Sequence, residues 1–194
     1  MKISLELFKS IESNFDSVAS WALWKSSGET TKSNIGDMDI LDPNKNPNLL
    51  ECLNPSVVMV GLNFSRTIQF EKSFQNFHDK SPYANDFKIR YAFENSPYYG
   101  AYMNDIIKNL ELVSSKDVLV YLKSNPKIIS ENIEVFKIEL NSICSNKPLI
   151  LAFRSDAFNI LYVNLDSTFY SHLIKITHYS HRISKEAYRV EVHS

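Results

Sequence analysis

The 194-residue chain reads as one layered α/β domain with a parallel sheet, and three observations predict it. Residues 56–62, SVVMVGL, form a β-branched run too short for a helix and apolar on both faces, as a central parallel strand is. Two further buried runs, LILAF at 149–153 and LIKIT at 173–177, follow it. Helical periodicity fills the intervals between them, and strand–helix alternation of this kind builds a parallel sheet with helices packed on it.

Taken in order, residues 5–24 place Leu7, Ile11, Phe15, Val18 and Ala22 at helical spacing, which predicts a first helix ending near Ser26. Trp21 and Trp24 then pack from that helix onto the core or a lid. Residues 27–55 shift to Gly, Asp, Asn and Pro, with Asp42-Pro43 and Asn46-Pro47 turn signals, and read as a long lid-like loop with a short helix. Residues 66–95 are irregular but rich in Phe, which suggests a stacking platform or a loop that packs on itself. Residues 98–112 return to helical or strand-to-loop character, and 118–123 are a short strand or a helix. Ile133, Phe136, Leu140 and Ile143 predict a helix over 130–145, capped by Ser130. Ser155 or Asp156 caps the next helix, 157–163, and a terminal helix covers 184–192. With only 4 glycines, each marks a backbone requirement, Gly61 and Gly100 foremost.

Composition narrows the function classes. With 21 basic and 22 acidic side chains and 44% hydrophobic residues, the chain is neither disordered, collagen-like nor a bulk polycation. No apolar run reaches the roughly 18 residues that span a bilayer, and MKISLELFKSIES carries acidic residues where a signal peptide is apolar, so the cytoplasm is the expected compartment. Cys52 and Cys144 cannot make a disulfide framework or a four-cysteine metal site and are expected as buried free thiols. The five histidines lack metal spacing, His78 reads as a loop histidine bonded to backbone, and no phosphate-cradle motif is present.

In a parallel sheet the chemistry lies just past the carboxyl ends of the strands. Those ends deliver Asn63-Phe64-Ser65, Arg154-Ser155 and His178-Tyr179-Ser180-His181-Arg182. Asn63 can hold a water through its amide carbonyl but is no strong base. A neutral His178 can donate a hydrogen bond to negative charge developing on a leaving group. Among residues 172–194, four basic side chains stand against two acidic ones, which reads either as a modest basic rim or as a solvated helix face.

The order of these motifs resembles the uracil-DNA glycosylase superfamily. VVMVGLNFS is similar to its GINPG form, with Gly61 and Asn63 on the Gly and Asn. HLIKITHYSHRIS looks like the strand running into HPSPLS, with His178 on its His and Ser180 on its first Ser. AYMNDIIK is similar to the VYITNVVK stretch, putting Asp105, or Asn104 in the neighbouring register, on the base-reading position. The resemblance implies a three-layer α/β/α fold around a central, mainly parallel four-stranded sheet. It also implies hydrolysis of the bond between a base and deoxyribose in DNA after the nucleotide is swung out of the duplex, in repair or in defence against modified viral DNA.

On that resemblance Asn63 holds the attacking water and His178 stabilises the departing base. One aromatic among Phe64, Phe70, Phe74 and Phe77 stacks on the base, a contact worth roughly 1 to 3 kcal/mol. Arg182 stands on the wedge position. Ser65, Ser180, His181, Arg182 and Lys185 face the DNA backbone. Phe64 and Tyr179 replace both motif prolines, so those loops are shaped differently. Asp105 in place of Asn is an acceptor that suits an exocyclic amine. Two cysteines cannot build the iron–sulfur cluster of the thermophile-type members, so no cofactor is expected, and the chain would act on DNA as a monomer, away from membranes. A catalytically inactive DNA- or protein-binding module of the same fold is the alternative; a hydrolase or deaminase of free nucleosides would leave the HYSHRI loop without purpose.

Overall fold

A computed structural model describes residues 3–63, 71–108, 110–144 and 146–194. Five strands form one mixed sheet: β1 (Ala19–Trp21), β2 (Asn54–Asn63), β3 (Ala101–Ile107), β4 (Leu149–Phe153) and β5 (His172–Ile176). Their order is β1-β3-β2-β4-β5, with β1 antiparallel to β3 and every other pairing parallel. The helices are α1 (Leu5–Phe15), α2 (Leu49–Cys52), α3 (Asp86–Phe93), α4 (Ser115–Ser124), α5 (Pro126–Ile143), α6 (Arg154–Asn164) and α7 (Lys185–His193).

β2 is central because its side chains are apolar on both faces. Val58 and Val60 join Phe8 of α1, Phe136 and Leu140 of α5 and Leu161 of α6 in one buried cluster. Val57 and Met59 join Ile89 and Phe93 of α3 and Tyr188 and Val192 of α7 in another. Helices therefore cover both faces of the sheet. β5, at the edge, is exposed or half-buried throughout.

The sheet has five strands where four were expected. The difference arises in residues 5–24, where the helix stops at Phe15 and residues 19–24 are all buried. A helix on the surface must keep a wet face, so an unbroken buried run belongs to the sheet instead. Val18 and Ala22 fall on the helical period by coincidence. Trp21, in β1, meets Tyr102 of β3 edge-on at 5.2 Å.

Other boundaries moved for local reasons. Residues 98–112 contain β3, and residues 118–123 lie within α4. α5 begins at Pro126, whose missing N–H costs nothing in the first turn, and not at Ser130. The Ser130 hydroxyl lies inside the helix and donates to the Lys127 carbonyl at 2.9 Å. α6 starts directly at Arg154 with no side-chain cap, so neither Ser155 nor Asp156 caps it. The start of the 27–55 segment is held by Arg90, whose buried guanidinium donates to the carbonyls of Thr31 and Ser33 within it and of Lys25 just before it. Cys52 is exposed and Cys144 half-buried, where both were expected to be buried. Among the described residues no helix is long and apolar enough to cross a membrane.

Gly61 and Gly100 each answer a close approach. Gly100 has φ +80°, and a Cβ there would stand 1.9 Å from the Cys52 carbonyl oxygen. Gly61 sits beside Asp105 in the β2–β3 register, and its Cβ would fall 2.1 Å from the Asp105 carboxylate.

Candidate active site at the strand ends

The carboxyl ends of β2, β3 and β4 and the turn after β5 surround a cavity of about 240 Å³. Asn63, Phe77, Asp105, His178, Tyr179 and Ser180 all line it. The two turns that sequence reasoning paired, 115 residues apart in the chain, thus share one mouth.

Asn63 ends β2, and its amide nitrogen donates to the carbonyls of Leu110 at 3.0 Å and Leu112 at 2.9 Å. Both amide hydrogens are thereby committed to backbone, so the side chain can act toward a ligand only as an acceptor.

His178 is oriented by its own turn. Its Nδ1 accepts from the Ser180 backbone N–H at 3.1 Å and lies 2.8 Å from the Ser180 hydroxyl. A nitrogen that accepts a backbone N–H carries no proton, so the neutral ring bears its proton on Nε2. Burial, followed by the nearby charges of Arg154 and His181, holds its pKa down to about 4. The ring stacks on Tyr179 at 4.3 Å and meets the edge of Phe153 at 5.7 Å. Lys88 of α3 donates to the Ile183 carbonyl at 3.1 Å, tying this turn to the helix layer.

Asp105 points from β3 into the cavity and is 6% exposed. Asn76 donates to its Oδ2 at 3.2 Å. The carbonyl end of the Asn76 amide accepts from the Phe77 N–H at 3.0 Å, so its NH2 end must face Asp105. Burial raises the Asp105 pKa to about 6, against the lowering contributions of Asn76 and Lys108.

Asn104, one residue earlier, is on the opposite face and does not reach the cavity. It donates to Glu139 of α5, which pairs with Lys108 at 3.1 Å. The neighbouring register for base reading is thus corrected, because alternation along β3 gives the cavity Asp105.

Of the candidate stacking aromatics, Phe77 lines the cavity, while Phe74 packs against Phe8 at 5.4 Å in the opposite apolar cluster. Phe64, Ser65 and Phe70 lie outside the described residues. His181, Arg182 and Lys185 are on the exposed turn and at the start of α7; Lys185 pairs with Glu186 and lies over the Tyr91 ring at 4.9 Å. His78 is structural: its ring contacts the carbonyls of Asn76 at 3.0 Å and Leu23 at 3.1 Å.

Sequence reasoning missed two contributors. Asn76 had no motif to mark it, and Tyr179 counted only as a lost proline, although it lines the cavity and stacks on His178. Two lining residues also hold left-handed backbone, Phe77 at φ 64° and Arg154 at φ 74°. Such strain in non-glycine residues gathers where a scaffold holds a site in place. The cavity wall is acidic: Asp79, Asp86, Asp105 and Asp156 line it with Arg154, which pairs with Asp156 at 3.7 Å.

No protein-family model matches the chain, and neither do any curated protein or solved structure.

Proposed function

We propose that the chain is a monofunctional DNA glycosylase that hydrolyses the N-glycosidic bond of an abnormal or modified base, uracil-type or a modified cytosine. The supporting observation is that Asn63 and His178 line one cavity at the strand ends, with Asp105 and Phe77 beside them. The base enters the cavity against Phe77. Asn63 accepts a hydrogen bond from the attacking water, and the Nε2–H of His178 donates to the base as negative charge builds on it. A neutral donor serves here because the charge to be met appears only as the bond breaks. Ser180, His181, Arg182 and Lys185 lie on the turn that would meet the DNA backbone. No lysine nucleophile is needed, so the product is an intact abasic site. The biological setting is repair or defence against modified viral DNA.

The test is incubation with end-labelled duplexes carrying uracil, hypoxanthine or modified cytosines, followed by alkali to cut abasic sites. Strand breaks that vanish in Asn63→Ala and His178→Ala are the expected result. One observation favours a second reading, a catalytically inactive DNA- or protein-binding module: Tyr179 stands where the resembled motif has proline and occupies part of the cavity wall. Salt-sensitive DNA binding with no breaks on any duplex would select it.

A further inference from the structure

The Gly61–Asp105–Asn76 arrangement bears on which ring the cavity accepts. β2 has no side chain at Gly61, and the Asp105 carboxylate occupies that gap, its Oδ1 where a Cβ would intrude. Asn76 binds Oδ2 and is itself locked by the Phe77 N–H, so the carboxylate has one defined orientation. Oδ1 takes no hydrogen bond from a described residue, although the side chain is 94% buried by its 6% exposure and lines the cavity. An acceptor that opens on a cavity and takes no donor from the chain is one that a ligand N–H can satisfy. Gly61 lies two residues before Asn63 on the same face of β2, so Asp105 is set below the strand end where Asn63 and His178 act. A ring inserted from the mouth would bring its far edge to Asp105 and its glycosidic bond to Asn63 and His178.

We propose that Asp105 makes the cavity selective for bases carrying an exocyclic amino group, of the cytosine or adenine type, over their carbonyl counterparts uracil and hypoxanthine. The inference rests on the glycosylase reading for its reaction but not for its recognition chemistry. An amino group donates to Oδ1, whereas a carbonyl in the same place sets two acceptors against each other and leaves both unpaired. The remaining carboxylates of the wall act in the same direction. Burial first, then the charges of Asp86, Asp105 and Asp79, keep the Tyr179 hydroxyl protonated on the same wall. Phosphate groups are kept out by the same charge, which leaves the ring to enter and the backbone outside.

Two matched pairs test this, because cytosine and uracil, or adenine and hypoxanthine, differ chiefly in the amino group and the carbonyl. Single-turnover excision is measured on one duplex sequence carrying cytosine, a 5-substituted cytosine, uracil, adenine or hypoxanthine. Preference for the amino member by about tenfold or more supports the proposal, that being the least a site built on one hydrogen bond should show. Equal or faster excision of uracil and hypoxanthine overturns it while leaving the glycosylase reading intact.

Should no duplex be cut, titration of free cytosine and free uracil into the protein, followed by nuclear magnetic resonance, reads recognition alone. Cytosine binding in preference to uracil then supports the proposal, and uracil preference, equal binding or no binding overturns it. The Asp105→Asn variant adds a directional check. Asn76 can only donate to the new amide, so the carbonyl turns to Asn76 and the NH2 takes the place of Oδ1, and preference should shift toward uracil. Circular dichroism confirms that the variant is folded, and the wild-type ranking decides the matter without it.

Discussion

The two faces of the sheet treat neighbouring residues of β3 in opposite ways. Asn104 faces α5 and is buried against Glu139, which Lys108 also contacts; Asp105 faces the cavity and is held through only one of its oxygens. Both are polar groups taken out of water. On the α5 face Asn104 and Lys108 both donate to one Glu139 oxygen, so the cluster fastens a helix to the sheet, while the Asn104 Oδ1 sealed beside it takes no hydrogen bond. On the cavity face one acceptor remains for something the chain does not supply. Access separates the two: the Asn104 and Glu139 oxygens are sealed in the core, whereas the Asp105 carboxylate lines a cavity that a ligand can enter.

That contrast can be broken by mutation, beginning with the largest effect. Glu139→Ala should destabilise the protein by about 3–5 kcal/mol in a denaturant titration, because it strands the Lys108 ammonium and the Asn104 amide in a buried site. Excision, assayed where the variant remains folded, should be unchanged. Loss of excision without loss of stability would instead put Glu139 in the chemistry. Asn63→Ala and His178→Ala should each lower the excision rate on the order of 10²–10³-fold, the cost of removing one oriented group from a transition state; Asn63→Ala should also cost about 1–3 kcal/mol of stability, because its two hydrogen bonds to the Leu110 and Leu112 carbonyls are lost.

Asp105→Asn should do the reverse of Glu139→Ala and stabilise the protein at pH 7. The folded-state pKa near 6 lies above the ordinary 3.8, so keeping this carboxylate ionised opposes folding at neutral pH. Its removal should contribute on the order of 1–3 kcal/mol. The advantage over wild type should shrink as pH falls from about 6 toward 3.8, where the wild-type side chain is neutral when folded. A melting series from pH 7 to pH 4 reads this directly, and a destabilised variant at pH 7 would place Asp105 with the structural group. Ser180→Ala should have the smallest effect, a severalfold fall in excision rate, since one hydrogen bond is worth about 0.5–1.5 kcal/mol. The Ser180 backbone N–H still fixes the His178 tautomer.

Much of the cavity side was legible in the sequence. The SVVMVGL and LILAF runs announce buried strands, and the end of a parallel strand is where a site is expected, so Asn63 was found as a cavity residue; His178 followed from the 173–177 run, which proves to be an edge strand and not the buried one expected. Gly61 and Gly100 signalled close approaches in a chain with few glycines. β1 was hidden, because its three residues pair with β3 across more than 80 positions and their burial mimics a helical stripe. Asn76 was hidden for a related reason: it lies in an irregular segment, and only its contact with Asp105 distinguishes it from its neighbours.

Periodicity and turn chemistry are local, and with them the sequence alone determined the layered α/β class, the central strand and the residues at the strand ends. Tertiary structure decided the antiparallel edge strand, the face on which Asn104 and Asp105 each fall, the neutral Nε2–H form of His178 and the orientation of the Asp105 carboxylate. Each of these depends on which distant group arrives beside a side chain and on how much water it leaves there, and neither is written in the spacing of residues along one segment.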